Sequence, residues 1–374
     1  MKNVRERMKA TLSISIERNG VSKMVPRTMH DRTRKIQEMS EADVKARYTI
    51  QTELMESCHA GMQVLLATRS RDGMEVVVKT RERSKSFRSA ADEQDWRATT
   101  EVQMNMPPTS TLCRLIEVIQ TKNYYYVVME KVEGQDLHEQ MSEKDFKISD
   151  AREVLYQILE ALKFLHEQGR IHKDLKLENV MVDMNAVKEP SSPGGRKTPP
   201  EPRSPGVKLI DFDTVEDWEP TTPKAEDVMG SDGYIAPEAY LGIYSPASDI
   251  YCAGVIMYKL LTQAYPFPFA LFDDRPGENW VGSPAMKRIY ERLRNQRIDF
   301  KWKVFQQCPE AADLCTSMLK FNALERPSAE EALNHAWFQL NPDVLSPSRS
   351  RATVDREAAP IKLPTSSGRL PTHS

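Results

Sequence analysis

The run SPASDIYCAGVIMYKLL, residues 245–261, is apolar on almost every side of a helix once Ser245 has capped it and Pro246 has opened its first turn. A helix without a polar stripe belongs in the middle of a domain, so the rest of the chain must supply a shell that buries it. Two kinds of segment are available for that. MQVLLAT and MEVVVKT are β-rich runs separated by SRDG, a polar turn ending in Gly73, which predicts a hairpin. KNYYYVVME is a further aromatic and β-branched strand. Between them, Ser86 to about Met106 reads as a helix stopped by Pro107-Pro108. SDAREVLYQILEALKFLHEQG places Val154, Ile158, Leu162 and Leu165 at helical spacing, with Ser149 as N-cap and Gly169 as stop. SAEEALNHAWF sets Ser328 and Glu331 at capping-box spacing. The expected fold is α+β, β-rich first and helical after.

The 374 residues suffice for one large domain or two medium ones with tails, and 40% hydrophobic with 28% charged residues is an ordinary globular balance. A net charge of -2 implies no general attraction to nucleic acid or anionic lipid, and no apolar run is long enough to span a bilayer. The five cysteines form no C-x-x-C pair, and their odd number argues against a disulfide framework; reduced thiols predict the cytosol or the nucleus. The basic, aperiodic N-terminal stretch reads as a disordered tail, with a mitochondrial transit peptide as the alternative. KEPSSPGGRKTPPEPRSPG, 188–206, lies between the strand-like runs NVMVD and VKLID and reads as an exposed insertion in a hairpin.

Chemistry gathers on either side of that insertion. RIHKDLKLENVMV packs Asp174, Lys176 and Asn179 into a short loop between a helix and a strand, and VKLIDFD ends the next strand on Asp211 and Asp213. A carboxylate that can accept a proton, a cation and oxygen ligands for Mg²⁺ are what phosphoryl transfer requires.

At this point the chain resembles a protein kinase over roughly Tyr48 to Phe338. HKDLKLEN is similar to the catalytic loop H-R-D-L-K-x-x-N, IDFD to the D-F-G element and VVVK to the V-A-I-K strand. IAPE at 235–238, SDIYCAG with Asp249, and ERPS with Arg326, expected to pair with Glu238, follow in the family's order. The resemblance implies a two-lobed kinase fold at 46–338, with a β-rich N-lobe at 46–132, a helical C-lobe at 133–338, a disordered insertion at 185–206 and tails at 1–45 and 339–374. It implies Asp174 as catalytic base, Lys176 on the transferred phosphate, and Asn179 and Asp211 as Mg²⁺ ligands. Lys79 would orient the ATP phosphates with Glu101 as its helix partner, Glu93 being the rival. Val64, Val77, Met129, Glu130, Val132, Asp136 and Met181 would line the nucleotide site, Met129 as gatekeeper and 130–132 as hinge.

Lys176 and GSDGYIAPE, with Ser231 in place of threonine, are similar to the serine/threonine class, and LNHAWF and AYPFPF resemble the calcium/calmodulin-dependent group. Protein substrates are implied, with a slight lean to basic ones through Glu178 and Asp136, against which Lys259 would act. The chain is expected to act as a monomer, and an upstream kinase is expected at Thr222 or at the Ser/Thr-Pro pairs of the insertion.

Four departures from the family pattern stand out. Ser57, His59 and Met62 replace the phosphate-loop glycines with Gly61 out of register; Val77 replaces alanine; Asp213 replaces glycine; Lys173 replaces arginine. The alternative reading is a pseudokinase, a scaffold or allosteric partner on the same fold. Asp213 reads as a variation that restricts the segment, and the acids Glu216, Asp217, Glu219, Glu226 and Asp227 as partial replacements for a loop phosphate.

Overall fold

The structure is a computed structural model that describes residues 34–56, 61–143, 146–184, 186 and 205–340. The glycine-poor loop positions Ser57 and His59, the insertion except Ala186, Pro205 and Gly206, and the tail after 340 lie outside the described residues.

The small lobe is a six-stranded sheet in the order β1-β5-β6-β4-β3-β2, formed by β1 (Gln37–Glu38), β2 (Tyr48–Glu56), β3 (Met62–Arg69), β4 (Glu75–Glu82), β5 (Leu115–Gln120) and β6 (Tyr124–Glu130). The β3–β4 hairpin turns at the expected SRDG. Alternation along β4 explains its valines: Val76 and Val78 are buried in the core of the small lobe, while Val77 and Lys79 line the cleft on the opposite face.

The stretch read as an N-terminal tail up to residue 45 contributes to this lobe from Arg34 onward. β1 pairs in parallel with β5, Ile36 is buried beside Met104 and Tyr125, and α1 (Glu41–Arg47) is closed by a capping box at Ser40 and Asp43. Arg34 donates to the carbonyls of Met104 (2.7 Å) and Leu115 (3.2 Å), which ties this segment to the end of α2 (Ala90–Met104). A segment that buries an isoleucine and satisfies helix-end carbonyls is part of the domain.

The large lobe packs α4 (Ile148–Glu167) against α5 (Pro246–Thr262), after the short α3 (Leu137–Glu143). α5 is buried from Ser248 to Leu260, as its all-round apolarity requires. Its capping box joins Ser245 to Ser248. α4 begins one residue before Ser149, which therefore sits inside the helix, and Gly169 after its end takes a φ of 68°. α6 (Pro284–Asn295) and α7 (Pro309–Met318) complete the core.

Three small strand pairings position the chemistry. β7 (Gln135–Asp136), β9 (Val180–Asp183) and β10 (Gly206–Leu209) form a sheet in the order β10-β9-β7, and Asp183 faces Gly206 across the mouth of the insertion, as a hairpin requires. Asn179 immediately precedes β9 and Asp211 follows β10. β8 (Arg170–Ile171) pairs antiparallel with β11 (Glu216–Asp217), which brings the segment after Asp211 back beside the loop that carries Asp174.

Candidate active site

A cleft of about 1030 Å³ separates the lobes. Val64, Val77, Met129, Glu130, Val132, Asp136 and Met181 all line it, as do Lys79, Asp174, Lys176, Asn179 and Asp211. Leu54 and Leu66 add to the wall and were not expected; Leu66 follows Val64 by two residues on one strand, so period-two alternation signals it. The Glu130 side chain is engaged, with Oε1 accepting from Lys208 Nζ at 2.6 Å and from the Arg114 N–H at 2.8 Å. Asp136 Oδ1 accepts from the backbone N–H of Glu139 in the first turn of α3. Gly61 takes a φ of 76°, and a Cβ there would lie 2.9 Å from that of Lys85, so glycine is needed at 61 in this turn.

On the floor of the cleft four side chains converge. Asp174 Oδ1 accepts from Ser231 Oγ at 2.9 Å, and Lys176 Nζ lies 2.9 Å from both Asp174 Oδ2 and Ser231 Oγ. Asn179 Nδ2 donates to the Asp174 carbonyl at 2.8 Å, which leaves Oδ1 as its available oxygen. The serine at 231 thus keeps the hydroxyl bond to the catalytic loop that its threonine-like position predicts. His172 is fully buried with its ring 5.9 Å from that of Phe212, where it packs in the core.

The loop is held from below. Asp249, on α5, is buried and accepts from the backbone N–H groups of His172 (2.8 Å) and Lys173 (3.0 Å) and bonds the His166 ring at 2.9 Å. Burial pushes its carboxyl up, but the His166 ring and the His172 N–H outweigh that and hold it below the usual range. Lys173 takes a φ of 68° and Asp211 one of 60°, two non-glycine residues in the left-handed region at the centre of the site. Glu238 and Arg326 pair as expected, in a two-pronged bridge with both distances 2.7 Å.

Lys79 does not meet Glu101. Thr100 and Met104 are the buried α2 residues on the cleft side, and a step of one residue from Thr100 turns Glu101 about 100° away. There it accepts from Lys35 Nζ at 3.1 Å and from the Ile36 N–H at 3.4 Å. Glu93, the rival, takes Arg83 at 2.7 Å and the Tyr125 hydroxyl at 2.6 Å. Lys79 Nζ instead lies 2.9 Å from Asp211 Oδ1 and 2.6 Å from Asp213 Oδ2. Burial alone would push the ammonium down, but the two carboxylates outweigh it and hold it above its ordinary value. Asp211 answers in kind: burial raises its carboxyl, and Lys79 more than reverses the shift.

The segment from Asp211 to Glu238 is anchored at several points. Lys173 Nζ pairs with Glu216 Oε2 at 2.9 Å, with Tyr244 beneath it. Val228 donates to the Asn279 carbonyl, Val281 to that of Glu226, each at 2.7 Å, and Arg88 reaches Asp227 at 3.2 Å.

Comparison with known proteins places these features in one family. The protein kinase domain model matches residues 60–338. The chain is 26% identical over 302 residues to sperm motility kinase Z of Mus musculus, covering 80% of this chain and 52% of that one. It is 27% identical over 280 residues to calcium-dependent protein kinase 4 of Plasmodium berghei (strain Anka), covering 74% and 47%. To the calcium/calmodulin-dependent protein kinase type II alpha chain of Drosophila melanogaster it is 29% identical over 249 residues, covering 65% and 41%. The chain spans about half the length of the curated relatives it matches. With the family model matched over most of the chain and the two-lobed fold around the cleft, the chain belongs to the protein kinase family.

Proposed function

We propose that this chain is an active serine/threonine protein kinase that transfers the γ-phosphate of ATP, with Mg²⁺, to hydroxyl groups of protein substrates. The observation that carries the reading is the convergence of Asp174, Lys176, Ser231 and Asn179 on one wall of the cleft, facing Lys79 and Asp211. The residues present fit the implied cofactor. A cleft with apolar walls suits a purine, two cations suit its phosphates, and Mg²⁺ is ordinarily held by one or two protein oxygens together with phosphate oxygens and water. Asp211 and Asn179 Oδ1 would hold the metal, which would offset phosphate charge as transfer proceeds.

The chain's own groups then divide the work. Asp174 receives the substrate hydroxyl, orienting it or taking its proton. Lys176, between Asp174 and Ser231, sets a positive charge where the transferred phosphoryl oxygens gather charge. Lys79 steadies the phosphates of the donor. Asp249 fixes the backbone that carries Asp174.

Asp136, Glu139, Glu178 and Asp232 are among the residues that line the cleft, with Tyr265 and Phe269, and these acids support a leaning toward protein segments carrying basic residues. The names of the calcium-dependent and calcium/calmodulin-dependent relatives support the serine/threonine assignment, as does Lys176 two residues after Asp174. A second reading, nucleotide binding without transfer, draws on the pairing of Lys79 with two acids rather than a helix glutamate. The test is Mg²⁺-dependent transfer to the chain itself and to a mixed serine/threonine peptide library, with Asp174→Asn alongside. Transfer lost in the variant supports an active kinase; none from either folded protein at high MgATP supports the second reading.

A further inference from the structure

Lys79 raises the question of what holds it when Asp211 turns to a metal. Its side chain is only 12% exposed, so its ammonium needs an anion that stays in place. α2 carries four acids, and none provides one. Asp92 bonds the Arg88 N–H, Glu93 is tied to Arg83, Asp95 is exposed and Glu101 faces Lys35. The α2 side chains that line the cleft are Trp96, Thr99, Thr100, Gln103 and Met104, all without charge.

Asp213 fills that place from the other side. Its Oδ2 is 2.6 Å from Lys79 Nζ and 3.1 Å from Arg81 Nη2. The Arg81 guanidinium in turn lies 5.3 Å from the Phe87 ring and 5.0 Å from the Trp96 ring of α2. A second tie joins the same partners, since Gln103 Nε2 donates to the Phe212 carbonyl at 2.9 Å. The backbone accepts an aspartate here, because among the described residues only Lys173, Asp211 and Gln263 are non-glycine with positive φ. The residue that departs from the glycine pattern therefore sits in ordinary geometry and makes the shortest contact to Lys79.

We propose that Asp213 is the positioning residue for Lys79, supplying from the segment after β10 the counter-charge that no α2 side chain supplies, and that Arg81 and Trp96 couple this pair to the position of α2. The assignment rests on the reading of the cleft as a MgATP site. It separates two duties that one carboxylate would otherwise share: Asp211 is released to the metal while Asp213 keeps Lys79 directed at the phosphates. It also inverts a simple expectation, since restoring the family's glycine at 213 lowers activity.

The test uses the full chain with Asp213→Asn, Asp213→Gly, Asp213→Glu, Trp96→Leu, Lys79→Met and the double variant Asp213→Asn/Lys79→Met. Dissociation constants for ATP, with and without Mg²⁺, are measured by calorimetry, and kcat and KM by phosphate transfer. Asp213→Asn and Asp213→Gly are expected to lower kcat by about 10–100-fold, the range for a displaced reacting group, with KM for ATP changed less than about threefold. Asp213→Glu is expected to recover part of kcat, and Trp96→Leu to give an intermediate loss. In the binding cycle, Asp213→Asn should weaken ATP by less than about threefold in the wild-type chain and tighten it in the Lys79→Met variant, where the carboxylate has lost its cation and repels phosphate, so that the two effects differ at least about threefold, the signature of residues in contact. Equal effects in both backgrounds, or an Asp213→Gly chain with wild-type kcat, overturn the proposal. A wild-type chain that binds ATP and never transfers it removes the kinase reading, and the binding cycle alone then decides the pairing. A chain that binds no nucleotide overturns both.

Discussion

Replacing Asp249 by asparagine should damage stability and turnover together, by amounts that follow from its contacts. The carboxylate takes two backbone N–H groups and a histidine ring at 2.8–3.0 Å while only 1% exposed. Hydrogen bonds to a charged group contribute about 1.5–3 kcal/mol each, and a buried donor left without its acceptor costs about 1–3 kcal/mol. Asparagine keeps one oxygen, so one N–H of His172 or Lys173 would face an amide NH₂. The expected loss is about 3 kcal/mol, or roughly 6–12 °C in thermal midpoint for a lobe of this size. Because His172 N–H and the His166 ring share Oδ2, an asparagine that keeps its oxygen there orphans the Lys173 N–H, whose backbone is already at φ 68° and leads directly into Asp174. A fall in kcat of at least about tenfold should accompany the thermal change. The sign of the pH dependence is fixed as well. Asp249 is held below the ordinary carboxylate range, so its contribution is present above that range and lost as pH falls through the folded value. The gap between wild type and variant, measured by thermal unfolding, should therefore be full at pH 7 and narrow below about pH 4. A variant that melts within about 2 °C of wild type at pH 7 and turns over normally would refute this account of the loop.

Three further outcomes are expected. Because Glu216 already neutralises Lys173 and backbone pairs anchor Glu226 and Val228, phosphatase treatment should leave transfer activity within about twofold, whereas Glu216→Gln should lower it several-fold in the same assay. Complete loss after phosphatase would place control at a loop phosphate instead. Lys259→Met should raise the melting temperature at pH 7, since burial pushes that amine from 10.5 down to about 8, with only its contact over the Tyr265 ring and the charge of Glu178 in compensation. After allowance for solvent screening the gain is about 2 kcal/mol. A folded value below the unfolded one means that the penalty is full below about pH 8 and gone near 10.5, so a gain that persisted at that pH would contradict the assignment. Finally, Glu101→Gln should keep kcat within about threefold, as its partners are Lys35 and the Ile36 N–H; a loss like that of Lys79→Met would return Glu101 to the site.

Most of the site was legible because its residues are fixed by short-range rules. Asp174, Lys176 and Asn179 share one tight loop, and Val77 and Lys79 share one face of a strand by a period of two. Glu101 was not legible for the opposite reason. On a helix one residue changes the face by about 100°, and neither end of α2 is marked by a residue that fixes its rotation over the sheet. The contacts that hold it come from distant parts of the chain: Gln103 bonds the Phe212 carbonyl, and the bond of Arg34 to the Met104 carbonyl spans 70 residues of sequence from a stretch whose basic, aperiodic composition resembles a tail. The opening acid pair of the cleft segment shows the same limit. That Asp211 faces the cleft follows from its place after β10, but the 2.6 Å contact of Asp213 with Lys79 joins residues from different lobes.

The departures from the family pattern also bear on one another. An acid is missing from the cleft face of α2, and an acid stands at 213 where glycine is usual; arginine is replaced at 173, and Glu216 pairs with the lysine found there. In both cases the counter-charge comes from the stretch 211–217, which contains Asp211 itself and is bound to β8 through β11. Lys79, Lys173 and Asp211 are thus placed by one short piece of chain. Such a site gains order from local connectivity, because fixing one segment fixes three charges. It also loses independence: a substitution that loosens β11, such as Asp217→Pro, should reduce the hold on Lys79 as well as on Lys173. ATP affinity and kcat would then fall together in that variant, whereas Asp213→Asn, which leaves β11 intact, should lower kcat with little change in KM.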